Sequence, residues 1–192
     1  YIGLNEAGIG ICMNTLPAPS RGLGVPHYFT VRGIYEATSL QGAVEAVSRA
    51  RRAIPANLML STPQGPVDLE ITLEQVHQLR DSGDGVILHT NHCLHPELVP
   101  INADFPELIQ SGPRLERMDS LLRGGARDLE NMKEALRDHQ NHPHSICRHA
   151  NADPANGFWV SVLSVLIEAE AGCMHISRGN PCENPYETYR LD

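Results

Sequence analysis

From Val67 to Glu74 apolar and polar side chains alternate without a break, Val67, Leu69, Ile71 and Leu73 against Asp68, Glu70, Thr72 and Glu74. A period of two marks a strand with one face on a core and the other in water, so this stretch commits the chain to a sheet with one wet side. Thr62-Pro63-Gln64-Gly65 precedes it and Asp81-Ser82-Gly83-Asp84-Gly85 follows, both rich in turn residues. Strands are therefore expected at 57–61, 67–73, 76–79 and 85–90, joined as an antiparallel meander. The last of these carries Val86, Ile87 and Leu88, read as a buried strand that empties without a turn into His89, Thr90, Asn91, His92 and Cys93. A sheet that ends this way delivers polar side chains to a site at its edge. Asn91 stands out, because an amide NH2 can be aimed at developing negative charge without being titrated. The same residue can equally pin its loop through local backbone bonds.

On either side of the meander the pattern changes. Residues 1–14 read as a hairpin whose turn falls at Asn5-Glu6-Ala7-Gly8, with Gly8 taking the positive φ such a turn requires. Pro17, Pro19, Gly22, Gly24 and Pro26 then break regular structure and leave a loop fit to rim a pocket. Weak helical character between Tyr28 and Ala37 is followed by a clear helix after Ser39, a good N-cap, with Leu40, Ala43, Val44 and Val47 on one stripe. After an irregular stretch from Pro96 to Gln110, Ser111 is expected to cap a helix reaching Arg123, striped by Leu115, Met118 and Leu122. Asp128 opens another, striped by Leu129, Met132 and Leu136. A long hairpin is expected over 158–176 with its turn at Ala171-Gly172, and residues 181–191 would add an edge strand. Strands and helices in separate runs, joined by hairpins, predict an α+β architecture with antiparallel sheets.

The chain has 192 residues, 41% of them hydrophobic, which suits one globular domain over 1–192 with a core of its own. A net charge of -8, with no basic cluster beyond Arg49, Arg51 and Arg52, argues against nucleic acid or an anionic membrane as partner. No apolar run approaches a bilayer span and no signal peptide opens the sequence, so a soluble, cytoplasmic protein is expected. Five scattered cysteines (Cys12, Cys93, Cys147, Cys173, Cys182) without a CxxC pair speak against both a disulfide framework and a structural zinc site. The first residue is Tyr1, inside an expected strand, so further chain is expected upstream.

Three chemistries compete. His89, His92 and His95, and a second group of His139, His142, His144 and His149, invite a metal reading. Spacing of three on a strand-to-loop transition splays imidazoles, however, and neither group brings a carboxylate placed as a fellow ligand. No metal or other cofactor is expected. Cys12, Cys93 and Cys147 each have polar neighbours that would favour a thiolate, yet nothing in the pattern separates them from small buried hydrophobes. Serine-elbow, dinucleotide and P-loop motifs are absent from the sequence. Local reading thus yields an oxyanion donor without its nucleophile.

Five segments in order supply what is lacking: Gly3-Leu4-Asn5-Glu6-Ala7-Gly8 with Asn14; Leu88-His89-Thr90-Asn91-His92-Cys93; Ser111-Gly112-Pro113-Arg114-Leu115-Glu116-Arg117; Asp138-His139 through Ser145-Ile146-Cys147-Arg148; and Gly179-Asn180-Pro181-Cys182. Together they resemble the acyl-coenzyme A:6-aminopenicillanic acid acyltransferase family, also classed as C45 peptidases. The resemblance implies an αββα sandwich of the N-terminal-nucleophile (Ntn) hydrolase type, here without its N-terminal part, made as a precursor that cleaves itself before a cysteine. It implies that this cysteine, the nucleophile, lies upstream of residue 1, on a segment or subunit of the same precursor. It implies a small acyl amide or acyl-CoA substrate. It implies that Asn91 is an oxyanion-hole donor, Asn14 a pocket asparagine and Arg114 an arginine near the nucleophile. A departure limits the substrate: Ala155-Asn156 stands where penicillin-forming enzymes carry a Ser-Arg pair, so a different acyl amide is expected. The competing readings are a catalytically inactive scaffold of the same fold and a metal-dependent hydrolase.

Overall fold

The computed structural model describes residues 2–17, 21–106, 110–154 and 157–191. It is an α+β structure with antiparallel sheets, as the run of hairpins requires. Its contacts divide it into two compact units, one of Tyr1–Leu108 with Ile167–Cys173 and Leu191–Asp192, the other of Ile109–Leu166 with Met174–Arg190.

The first unit is built on a five-stranded sheet in the order β1-β2-β3-β4-β5, with β1 Gly3–Leu4, β2 Gly10–Asn14, β3 Ala56–Ser61, β4 Val67–Ile71 and β5 Val76–Leu79. The expected N-terminal hairpin is there, with Gly8 at φ 73°. Asn5 closes its turn by accepting from the Ala7 and Ile9 amides, and its Nδ2 donates to the Tyr35 and Ala37 carbonyls at 3.0 and 2.8 Å. Helices α1 (His27–Tyr35) and α2 (Leu40–Ser48) pack on each other and join the sheet's core. Ser39 caps α2 as expected, its side chain accepting from the Gly42 amide at 3.1 Å.

Register decides which side chains share a face. Residues directly opposite across an antiparallel pair project to the same side, so Ile11, Leu60 and Val67 form one row and Met13, Leu58 and Leu69 the next. With Ile9, Ile34, Val47 and Ile71, all of these but the partly buried Met13 make a single buried cluster with α1 and α2, and Met13 packs against it. Each such side chain contributes about 1.5–3 kcal/mol on leaving water. Arg52 closes the end of α2, donating to the carbonyls of Val47, Ser48, Thr72 and Leu73. The one arginine cluster in the sequence is thus partly spent on backbone.

Two expectations for this unit fail. Residues 85–90 are not a strand. Asp81 collects the Gly83, Asp84 and Gly85 amides on its carboxylate, and this turn takes the chain out of the ladder after β5. Val86, Ile87 and Leu88 are only half-buried. Nor is the polar face of β4 wet: Asp68 and Glu70 are both fully buried. Alternation identified the strand correctly, but it cannot tell a solvated carboxylate from one buried against partners brought from elsewhere in the chain.

In the second unit, α3 spans Ser111–Gly124 and α4 spans Leu129–Leu136. Asp128 caps α4 through the Asn131 amide, whereas Ser111 is the first helical residue rather than the cap of α3, which has no side-chain cap. Leu122 of the expected stripe is buried; Met132 is exposed, and Ala135 takes the buried place on α4. Strands β6 (Leu163–Glu168), β7 (Cys173–Arg178) and β8 (Tyr186–Arg190) form a three-stranded sheet in that order, with Gly172 at φ 64° in the hairpin turn. The hairpin is shorter than the sequence suggested, since residues 158–162 lie outside any strand, and β8 sits at the expected edge. Among the described residues no helix is long and apolar enough to cross a membrane.

Candidate active site

The face of the first sheet turned away from α1 and α2 is a polar surface written by the same register. Asn14, Asn57, Glu70 and His77 stand directly opposite one another across β2, β3, β4 and β5, and Cys12, Met59, Asp68 and Leu79 make the neighbouring row. Hydrogen bonds run along it in one direction. Asn14 Nδ2 donates to Asn57 Oδ1 at 3.3 Å, and Asn57 Nδ2 donates to Asp68 Oδ1 at 2.6 Å and to the Leu69 carbonyl at 3.3 Å. Both amide groups therefore have their oxygen and nitrogen ends fixed.

Glu70 holds the loop that carries Asn91. One of its oxygens accepts from His89 Nε2 at 2.9 Å and from the Leu94 amide; the other accepts from the His95 amide at 3.0 Å. On the far side of the ring, His89 Nδ1 lies 2.7 Å from the Thr90 carbonyl. Both ring nitrogens thus face acceptors, which makes His89 a donor twice over, an imidazolium. Burial pushes the His89 pKa down, but the Glu70 bond and the Asp68 charge outweigh it and hold the ring above its ordinary value. Burial pushes Glu70 up, and the bonds from His89, Leu94 and His95 outweigh that in turn and hold it low. Asp68 is the exception: burial carries its pKa up to about 6, against the pull of His89 and Asn57. Among the described residues its Oδ2 has no hydrogen-bond partner, and it lies 3.9 Å from His89 Nε2. Asp68, Glu70 and His89 also have the composition of a metal site. In this geometry the imidazolium itself occupies the cation's place between the carboxylates.

Residues 92–95 are further clamped by Asn102, whose side chain accepts from the Cys93 amide at 2.8 Å and donates to the Cys93 carbonyl at 2.9 Å. On this scaffold Asn91 is half-buried, and its Nδ2 donates to the Thr15 carbonyl at 3.4 Å. Thr15 is the residue after Asn14, so the structure brings Asn91 and Asn14 together at the end of β2. Arg114 lies in the second unit on α3, half-buried, with its Nε on the Gln110 carbonyl at 3.2 Å. Burial, with help from the neighbouring Arg148 charge, lowers its pKa to about 10. Gln110 also receives the Arg148 guanidinium on its side-chain oxygen. Ala155-Asn156, the position of the departure from the penicillin-forming pattern, lies outside the described residues.

Two of the three cysteines left open by the sequence, Cys93 and Cys12, are poor nucleophiles where they stand. Cys93 is buried with Leu16 and Leu98, and burial together with the Glu70 charge pushes its thiol up to about 12. Burial also raises the Cys12 thiol. Neither is a ready thiolate at neutral pH. What the sequence did not reveal is Asn57, the link between Asn14 and Asp68. Its cross-strand register with Asn14 and Glu70 was the available signal, and register is legible only once strand ends are known.

A family model described as acyl-coenzyme A:6-aminopenicillanic acid acyl-transferase matches residues 1–183. The 40 kDa form of acyl-coenzyme A:6-aminopenicillanic-acid-acyltransferase from Emericella nidulans is 29% identical over 191 residues, covering 98% of this chain and 52% of that protein. The chain thus spans about half the length of the curated relative it matches. With the match running over residues 1–183, this chain belongs to the acyl-coenzyme A:6-aminopenicillanic acid acyl-transferase family.

Proposed function

We propose that this chain is the larger part of a cysteine Ntn-hydrolase domain that transfers or hydrolyses an acyl group through a covalent acyl-enzyme. A thiolate supplied by sequence outside these 192 residues attacks the carbonyl carbon of an acyl amide or acyl thioester. Asn91 donates to the oxyanion that forms, the C–N or C–S bond breaks as the leaving group takes up a proton, and water or an amine then cleaves the acyl thioester. Asn14, held by Asn57, lines the same end of the sheet, and Arg114 supplies a cation near the nucleophile. The nucleophile's α-amine is its base, freed when an upstream segment of the precursor is cut away, and the substrate is an acyl amide other than a penicillin.

One observation carries this reading: Asn91 Nδ2 donates to the carbonyl of Thr15, the residue after Asn14, while Glu70 with His89 holds the loop that carries Asn91 and Asn57 with Asp68 holds the Asn14 amide. Preorganised donors of this kind are what an oxyanion hole needs, since they cost no reorganisation during reaction. The raised thiols of Cys12 and Cys93 count against either of them as the nucleophile. Asn91→Ala in the full-length protein, assayed on a panel of acyl amides and acyl-CoA thioesters, should lower kcat by about 10²–10³ with the fold retained. Turnover near that of the parent would refute the assignment of Asn91. Trapping the acyl-enzyme and mapping it by peptide mass spectrometry should place the acyl group on a cysteine beyond these residues; acylation of Cys12, Cys93, Cys147, Cys173 or Cys182 would overturn the rest.

A further inference from the structure

The second unit holds a group of side chains that the acyl-transfer chemistry does not use. His139 follows α4, Cys147 and His149 lie in the loop after it, and Cys182 sits in the turn before β8. All four ligand atoms lie within 4.8 Å of one another. His139 Nε2 and His149 Nε2 are 3.0 Å apart, Cys147 Sγ and Cys182 Sγ 3.6 Å, Cys182 Sγ and His149 Nε2 3.3 Å, and Cys147 Sγ and His149 Nε2 3.8 Å. Two thiolates and two imidazoles bound tetrahedrally to zinc, at about 2.3 and about 2.0 Å, would stand about 3.8 Å apart sulfur to sulfur, about 3.3 Å nitrogen to nitrogen and about 3.5 Å sulfur to nitrogen. The four distances lie within about 0.3 Å of those edges, three slightly shorter and one slightly longer.

We propose that His139, Cys147, His149 and Cys182 form a structural zinc site that ties the 138–149 loop to the turn before β8. Four protein ligands close the coordination sphere, which is the mark of a structural rather than a catalytic zinc. The surroundings fit the role. Asn180 Nδ2 donates to Cys147 Sγ at 3.6 Å and to the Arg148 carbonyl at 2.6 Å, an outer-shell contact that fixes the sulfur's position. Glu183 faces the other nitrogen of His149 at 3.6 Å, the outer carboxylate that commonly orients a zinc-bound imidazole. Two hydrogen bonds to backbone carbonyls set the ligand loops without a metal: the Cys147 amide donates to the Asp138 carbonyl at 3.0 Å, and the Arg137 side chain donates through Nε to the Pro181 carbonyl at 2.9 Å.

The second unit also has reason to need a staple. Both hydrophobic clusters found among the described residues belong to the first unit, and the buried apolar residues of the second are Leu122, Ala135 and Cys147. A unit with so little apolar burial gains from a metal cross-link, because binding free energy becomes folding free energy. Binding is balanced by proton release: Zn2+ displaces one proton from each of the two thiols, and each imidazole binds neutral through one nitrogen. The inference is independent of how the acyl chemistry proceeds.

The test is metal analysis of the full-length protein, purified under reducing conditions without chelator. One zinc per chain is expected, and after chelation cobalt should restore the visible bands of a tetrahedral site together with a thiolate-to-cobalt charge-transfer band. Cys147→Ser and Cys182→Ser should each abolish that band and lose the zinc, Cys12→Ser should keep both, and Cys182→His should keep the zinc with a weaker band. The last variant retains four ligands and separates loss of metal from failure to fold. Folded protein that takes up no zinc or cobalt, zinc retained by the Cys147→Ser/Cys182→Ser double variant, or a Cys147-Cys182 disulfide in protein freshly isolated from a reducing cytoplasm would each overturn the proposal.

Discussion

Replacing Glu70 with glutamine tests the scaffold of the candidate site with almost no change in shape. Glu70 is fully buried and accepts from His89 and from the Leu94 and His95 amides, so both its oxygens are acceptors only. Glutamine offers one acceptor and one donor. With its oxygen toward His89 and Leu94, the NH2 meets the His95 N–H; turned over, it meets Leu94 instead. Either way a buried amide loses its partner, at about 1–3 kcal/mol. Loss of the charge facing His89 adds to this, because removing one member of a buried ion pair costs about 3–5 kcal/mol when the other must stay charged. His89 escapes part of that by releasing its proton more readily once Glu70 no longer raises its pKa, so Glu70→Gln should destabilise the protein by about 3 kcal/mol in total. Urea unfolding followed by circular dichroism reads the loss. Hydrogen exchange localises it: at about 1.4 kcal/mol per tenfold, the Leu94 and His95 amides should exchange about a hundredfold faster. A loss under about 1 kcal/mol, or unchanged exchange at those two amides, would refute the view that Glu70 organises the loop carrying Asn91.

The same pair fixes a pH dependence. Glu70 is held below its ordinary 4.5, so its contribution is present above that pH and lost as pH falls through its folded value; His89 is held above 6.5, so its contribution is present below that pH and lost as pH rises through its folded value. The stability difference between the parent and Glu70→Gln should therefore be largest between these two values and shrink on both sides, and a difference that grows steadily toward alkaline pH would count against the imidazolium. Asp68 acts in the opposite sense for a carboxylate: pushed up to about 6, it contributes stability below 3.8 that is lost as pH rises to about 6, so Asp68→Asn should flatten this part of a stability-against-pH curve. On the apolar face, Leu58→Ala empties a fully buried site and should cost about 2–5 kcal/mol with the polar face intact; an effect below about 1 kcal/mol would mean that β3 is not the centre of the core.

Much of the frame was legible in the sequence, for reasons that sit in single residues. Gly8 and Gly172 mark the hairpin turns because their positive φ excludes most side chains, and Ser39 and Asp128 mark helix starts because a side-chain oxygen satisfies an otherwise unpaired amide. Where two local signals conflict, the reading fails. Val86-Ile87-Leu88 has a strand's composition, but Asp81 spends its carboxylate on three amides in the turn before it and takes the chain off the sheet. The alternation of β4 names its two faces without saying that Asp68 and Glu70 meet His89.

What the sequence determined by itself is therefore whatever depends on neighbours within a few residues: the turns, the caps, the apolar stripes and the α+β class they add up to. The tertiary structure alone decided which polar groups meet. Asn14 reaches Asn57 across 43 positions, His89 reaches Glu70 across 19, and Cys147 reaches Cys182 across 35. The physical reason is range. A hydrogen bond or a metal ligand set is specific at about 3 Å but says nothing along the chain about where its partner lies, whereas hydrophobic periodicity is written into every turn of a helix and every step of a strand.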